Sequence, residues 1–222
     1  MGFTAGEAIR FGWKTFKSRP WFFVGATPVI MIVYGMIEAI TLSIDVAVSG
    51  STDPAQIQSS LLGRLISFLA GTLIDMGATA FYLSAHDNPD AVDLSALWHP
   101  RPFLTFLGAS ILLMLTIAVG FILLIVPGII FALMFMFTTF IVIDREFGPI
   151  DSMKESRRLT YGHKWKLLGL SLLLVLINLL GLAALFVGLF VTVPISSLAL
   201  THAYRVLGGK VEPRPVDAAL SA

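Results

Sequence analysis

From Phe103 to Ile143 the chain runs through 41 residues without a charged side chain, and that stretch limits the fold more than any other feature. About 20 apolar residues suffice to carry a helix across roughly 30 Å of hydrocarbon, so a run of twice that length has to fold back on itself. Pro127-Gly128 marks the expected corner, because proline withdraws a backbone donor and fixes φ while glycine tolerates the turn. The same reasoning divides Leu167–Leu207 into two spans with a turn near Val187-Gly188. With 56% hydrophobic and 13% charged residues and a mean hydropathy of +0.87, the surface cannot be hidden in one watery core. The expected solvent is lipid.

Mostly apolar windows fall at 20–44, 61–85, 103–125, 127–143, 165–186 and 188–207. They predict an all-α membrane protein of six transmembrane helices, arranged as three αα-hairpins with amphipathic interfacial helices. Residues 1–19 form the first interfacial helix, 20–207 the transmembrane domain and 208–222 a cytoplasmic tail. The first apolar run is too long for a secretory signal, whose apolar core is about 7–15 residues, and is read as an uncleaved span. Orientation follows the short-loop excess of Lys and Arg. Arg10, Lys14, Lys17 and Arg19 precede the first span, six basic residues lie in 144–166, and Arg205, Lys210 and Arg214 close the chain. The 45–60 loop has Asp45 and Asp53 but no Lys or Arg. Both termini are therefore expected in the cytoplasm, although the 86–102 connection is mixed, with Arg101 against Asp87, Asp90 and Asp93.

Thr4-x-x-Glu7 has the spacing of a capping box. After it, Ile9, Trp13 and Phe16 recur on one helical face while Arg10, Lys14 and Lys17 line another, the pattern of a helix lying in the headgroup layer with lipid under its apolar stripe. Ser152-x-x-Glu155 predicts a second capped helix through Tyr161, with Ile150, Met153 and Tyr161 as a thin apolar face; it is either interfacial or a solvated linker. Each expected hairpin opens on a basic and aromatic step followed by glycine: Arg19-Pro20-Trp21 then Gly25, Arg101-Pro102-Phe103 then Gly108, Lys164-Trp165-Lys166 then Gly169. That is either an internal repeat or the ordinary demand for a cation and an aromatic ring at each interface.

Ionisable groups inside a span cost about 2.5–3.5 kcal/mol on insertion scales, so the few present are the candidate site. Glu38 and Arg64 approach the same side from neighbouring spans and are expected to form an ion pair, either a clamp or part of an ion or substrate site. Asp75 falls about 11 residues from the inner end of its span, close to the midplane, and Asn178 comes from the inner side to a similar depth, which predicts a hydrogen bond between the first and third hairpins. Asp75 reads either as structural glue or as a proton or cation relay. Gly71, Gly77 and Ala78, and Gly181, Ala184 and Gly188, offer small-residue faces for close helix approach, while Pro28 and Pro194 lie within or near spans.

The chain has no cysteine, its four histidines lack paired metal-ligand spacing, and it has no phosphate loop or nucleophile elbow. No catalytic residue, metal or cofactor is expected. A net charge of +1 without a basic stripe does not suit a nucleic-acid partner.

Val126-Pro127-Gly128-Ile129, Ile143-Asp144, Gly148-Pro149, Lys154-Glu155-Ser156, Gly162-His163-Lys164-Trp165, Pro194 and Tyr204-Arg205, with the opening Glu7-Ala8-Ile9-Arg10-Phe11-Gly12-Trp13-Lys14, resemble a bacterial family of six-span inner-membrane proteins. That family is similar to the membrane domain attached to some glycerophosphodiester phosphodiesterases. The resemblance implies an inner-membrane location and three packed hairpins, and supplies no catalytic residues. Two functions are expected to compete: a non-enzymatic accessory or scaffold subunit, with membrane lipids and other integral membrane proteins as partners, and a transporter or channel for an ion or small solute using Asp75. A third expectation is an anionic-lipid sensor acting through the first helix.

Overall fold

A computed structural model describes residues 4–50, 60–98, 102–184 and 187–208. Helices run in the order α1 (Ala5–Ser18), α2 (Pro20–Ser49), α3 (Leu61–Asp87), α4 (Phe103–Leu123), α5 (Ile125–Phe135), α6 (Thr138–Arg145), α7 (Pro149–Thr160), α8 (Lys164–Ala183) and α9 (Leu189–Gly208), with a 3₁₀ turn at Leu94–Leu97 after α3. Local chemistry sets the ends. The Thr4 hydroxyl accepts from the Glu7 amide at 3.3 Å, Ser60 does the same for Gly63 at 2.9 Å, and Pro20 and Pro149 sit in first turns, where a missing N–H leaves no gap. Gly50 closes α2 in the left-handed region at φ 67°.

Among the described residues, five helices are long and apolar enough to cross a membrane: α2, α3, α4, the stretch Ile125–Arg145 made of α5 and α6, and α8. Their outward sides carry many exposed apolar side chains, among them Ile32, Met36, Ile122 and Leu180, as a lipid-facing surface requires. This is a helical membrane protein. α9 has the length but carries Thr192, Ser196, Ser197, Thr201, His202 and Arg205, and lies outside that group of five. Protein covers it on most sides: α1, α2, α3 and α8 pack against it, and Ile195, Leu198, Ala199, Ala203 and Tyr204 are buried. This more polar helix is thus the central one, and its Ser196, Thr201, His202 and Arg205 side chains find partners within the protein.

Three sequence expectations need correction. The corner of the long apolar stretch lies at Leu124, extended at φ −172° and ψ 159°, and not at Pro127-Gly128. Pro127 falls within the first turn of α5, and Gly128 serves close approach: a Cβ on Gly120 would lie 2.9 Å from the Gly128 Cα. The turn at Val187-Gly188 is found as expected, with a Cβ on Gly188 meeting the Gly181 carbonyl oxygen at 2.6 Å.

The second correction concerns α7, whose buried face is Ser152, Ser156, Leu159 and Thr160, while Ile150 and Tyr161 are exposed. It begins three residues before Ser152, so the capping box is not formed; Ser152 Oγ donates to the Phe147 carbonyl instead. α7 runs back along the break between α5 and α6. Ser156 Oγ donates to the Met134 carbonyl at 3.0 Å and accepts from the Phe137 amide at 3.2 Å, and Thr160 Oγ1 reaches the same carbonyl at 3.1 Å. The α-helical ladder stops near Met136 because α7 supplies the partners that the next turn would have supplied.

The third correction concerns α1, which is a helix as expected but does not lie with its apolar stripe in lipid. Ala8, Gly12, Thr15 and Phe16 are buried; Ile9 packs on the core that contains Leu83, Ala199, Ala203 and Tyr204, and Phe16 joins Phe23, Phe81 and Leu198. Gly12 permits the approach, since a Cβ there would meet the Ile195 carbonyl oxygen of α9 at 2.6 Å.

Candidate functional site: a polar cavity and a charged cluster

Asp75, on α3, accepts a hydrogen bond from the Tyr34 hydroxyl of α2 at 2.6 Å. Tyr34 reaches it by passing over Gly71, where a Cβ would lie 3.8 Å from the ring. The expected bond from Asn178 is not made. Asn178 Nδ2 donates to Ser196 Oγ and to the Leu174 carbonyl, both at 2.9 Å, so it ties α8 to α9. α9 packs against both α3 and α8 and intercepts the side chain that was expected to cross.

On its other side Asp75 opens into a cavity of about 300 Å³ between α3, α4, α6 and α9. The lining carries hydroxyls from Thr79, Tyr82, Ser110, Thr139, Ser197 and Thr201, with Phe106, Phe140 and Leu200 as apolar wall. Thr79 and Thr201 spend their protons on carbonyls of their own helices, Asp75 and Ser197 at 2.8 Å each. Their oxygens therefore face the cavity as acceptors, beside one carboxylate. Such a lining suits a proton, a small cation or a solute that donates hydrogen bonds.

Glu38 and Arg64 line a second cleft, of about 370 Å³, with Thr41, Asp45 and Ser67. The expected Glu38–Arg64 pair is not among the ion pairs of the described residues. Asp45, expected in a loop, feels the charge of Arg64: α2 continues to Ser49 and carries Asp45 opposite the start of α3. Its carboxylate accepts from the Ser60 amide at 2.8 Å and from the Ser60 hydroxyl at 2.5 Å.

The densest electrostatics lie where α3, α6 and α9 end. Arg205 donates to Asp144 at 2.7 Å and, through two nitrogens, to Asp87 at 2.5 and 3.1 Å. Tyr204 donates to the other oxygen of Asp144 at 2.6 Å. Arg145 pairs with Glu155 of α7 at 2.7 Å and donates to the Gly208 carbonyl at 2.8 Å. Arg158 grips the same Glu155 through two nitrogens at 2.7 and 2.8 Å. Those hydrogen bonds from Arg158, with the charge of Arg145 behind them, hold the Glu155 carboxyl below the usual range. His86 and His202 face each other at 3.2 Å, Asp87 lies 3.1 Å from the far nitrogen of His86, and Phe11 of α1 stacks against both rings.

Sequence reading missed this cluster although its signal was present. Three helices end in adjacent polar or ionisable residues, His86-Asp87, Asp144-Arg145 and Tyr204-Arg205, and a parallel exit brings all three pairs together. The proposed lipid-facing set divides: Arg10, Trp13, Lys14 and Lys17 are exposed, with Lys17 Nζ 4.8 Å above the Trp13 ring, whereas Ile9 and Phe16 are covered by protein. Arg19, read as a topology signal, closes the connection after α3 by donating to the carbonyls of Pro89, Asp90 and Val92. Arg101 and His99 lie outside the described residues.

The chain is 26% identical to the uncharacterized protein Rv2560 of Mycobacterium tuberculosis strain H37Rv, over 94% of its own length and 70% of that protein's. The uncharacterized protein Mb2590 of Mycobacterium bovis matches at the same 26%, with the same coverage. No solved structure matches the chain. A family model described as a domain of unknown function, DUF7847, matches residues 96–218, which takes in Asp144, Glu155, Arg205 and the polar wall contributed by α4, α6 and α9. Since that match covers more than half of its residues, the chain belongs to the DUF7847 family.

Proposed function

We propose that this is a non-enzymatic six-span protein of the bacterial inner membrane that binds a small cation or polar solute beside Asp75 and passes it through the helix bundle. The cavity of about 300 Å³ that joins the Asp75 carboxylate to six hydroxyl-bearing side chains carries the reading. A carboxylate in a cavity lined, among the described residues, by no Lys, Arg or His is short of positive charge, and a cation restores the balance. In this scheme α9 is the sixth span, and the helices form three packed hairpins, the architecture of the membrane domains attached to some glycerophosphodiester phosphodiesterases. The distribution of Lys and Arg supports cytoplasmic termini.

Proteoliposomes loaded with a pH-sensitive dye, and carrying a K⁺ or guanidinium gradient, test it. Wild type should carry proton or cation flux above that of empty vesicles, and Asp75→Asn should abolish it while eluting as a folded species. Flux equal to that of empty vesicles for every probe, or flux untouched in Asp75→Asn, overturns the reading.

A second reading, an accessory or scaffold subunit of a larger membrane complex, has its own support in α2. Gly35 and Ala39, one turn apart, are both exposed and offer a small-residue face that suits a partner helix. Mild-detergent purification should then recover a stoichiometric integral membrane partner that Gly35→Leu releases.

A further inference from the structure

Between α5 and the start of α8 lies a groove of about 500 Å³, walled by Val126, Ile129, Ile130, Leu133 and Leu168 and closed at one end by Lys164 and Trp165. It is separate from the Asp75 cavity and shares no residue with it. We infer that this groove holds one acyl chain of an anionic phospholipid whose phosphate lies against Lys164. The wall is aliphatic throughout, and its size falls within the roughly 300–1,000 Å³ typical of ligand sites. Lys164 enters no ion pair among the described residues, although Arg158 and Lys154 of the preceding helix both do. Trp165 is 84% exposed at the mouth, where an indole sits with its ring against the upper acyl chain and its N–H toward the headgroup. Lys166, directly after Trp165, is also exposed and adds a second cation on the same rim. An apolar slot with cations at one end is complementary to a lipid that is itself apolar with an anion at one end, and zwitterionic lipid lacks that match.

Native mass spectrometry of the full chain, exchanged into detergent containing equal phosphatidylglycerol and phosphatidylcholine of the same acyl composition, tests the site. Wild type should retain phosphatidylglycerol preferentially. Lys164→Gln should weaken that preference roughly fivefold, the effect of one cation beside an anionic headgroup. Ile130→Trp, which fills the slot, should reduce retention of both lipids, with Leu168→Phe as the substitute if that variant does not fold. Equal retention of the two lipids by wild type, or a preference unchanged in Lys164→Gln, overturns the proposal. So does a loss in Lys164→Gln with none in the groove-filling variant, since the headgroup would then bind without its chain.

Discussion

Around Asp144 the acids meet bases, whereas around Asp75 a single carboxylate meets a phenol. Asp87 and Asp144 share Arg205, and Glu155 is held between Arg145 and Arg158; the side chains of Arg205 and Asp144 are only 14% and 10% exposed. Asp75 has the Tyr34 hydroxyl on one side and hydroxyl oxygens across a cavity on the other. Matched charges at helix ends tether elements together and leave nothing for a ligand to satisfy. An unmatched charge contributes little to holding the bundle and leaves its electrostatic demand open. The difference separates what fastens this fold from what it can bind.

The sharpest way to break that contrast is to remove one acid from each region. Asp144→Ala leaves Arg205 to Asp87 alone and frees Tyr204, and should cost about 1.5–3 kcal/mol, the range for a hydrogen bond to a charged group; Asp75→Asn should cost less than about 1 kcal/mol. Reversible unfolding in detergent measures both, and equal losses would refute the division. Ser156→Ala leaves the Phe137 amide without its partner and should cost about 1–3 kcal/mol, while Thr160 keeps the Met134 carbonyl occupied.

Acid should loosen the matched region. Because the Glu155 carboxyl is held below its ordinary value of 4.5, its contribution to stability is full above that value and is lost as pH falls through the lower, folded one. Glu155→Gln should flatten the acid limb of a thermal-stability profile, and an unchanged limb would count against the cluster as a fastening. The smallest effect belongs to Tyr34→Phe, which removes one hydrogen bond worth about 0.6 kcal/mol on the average for bonds between spans. A scan of thermal midpoints should barely register it, although any Asp75-dependent flux should change.

The long apolar windows, the helix starts at Pro20, Phe103 and Lys164, and the turn at Val187-Gly188 were all legible, because each rests on length, charge or backbone chemistry within a few residues. Asp75 was legible as a polar group in an apolar helix; its partner was not. Tyr34 looks like any interfacial aromatic until the stagger of α2 against α3 is known, and one further turn of α2 moved Asp45 from a loop to the side of Arg64. The stripe Ser152, Ser156, Thr160 has a four-residue spacing that could have announced a buried face. Hydropathy hides it, because a buried face ordinarily shows as apolar residues and this one works through hydroxyls that complete another helix's backbone.

That completion bears on how the protein is made. The Met134 carbonyl finds its donors 22 and 26 positions later in the chain, so the segment around it cannot reach its final shape as it leaves the ribosome. It must wait in the insertion machinery, or beside water, until α7 has been synthesised and has folded back. Membrane insertion of this half of the molecule is therefore a two-step event, and a chain truncated before Ser156 should stall at the first.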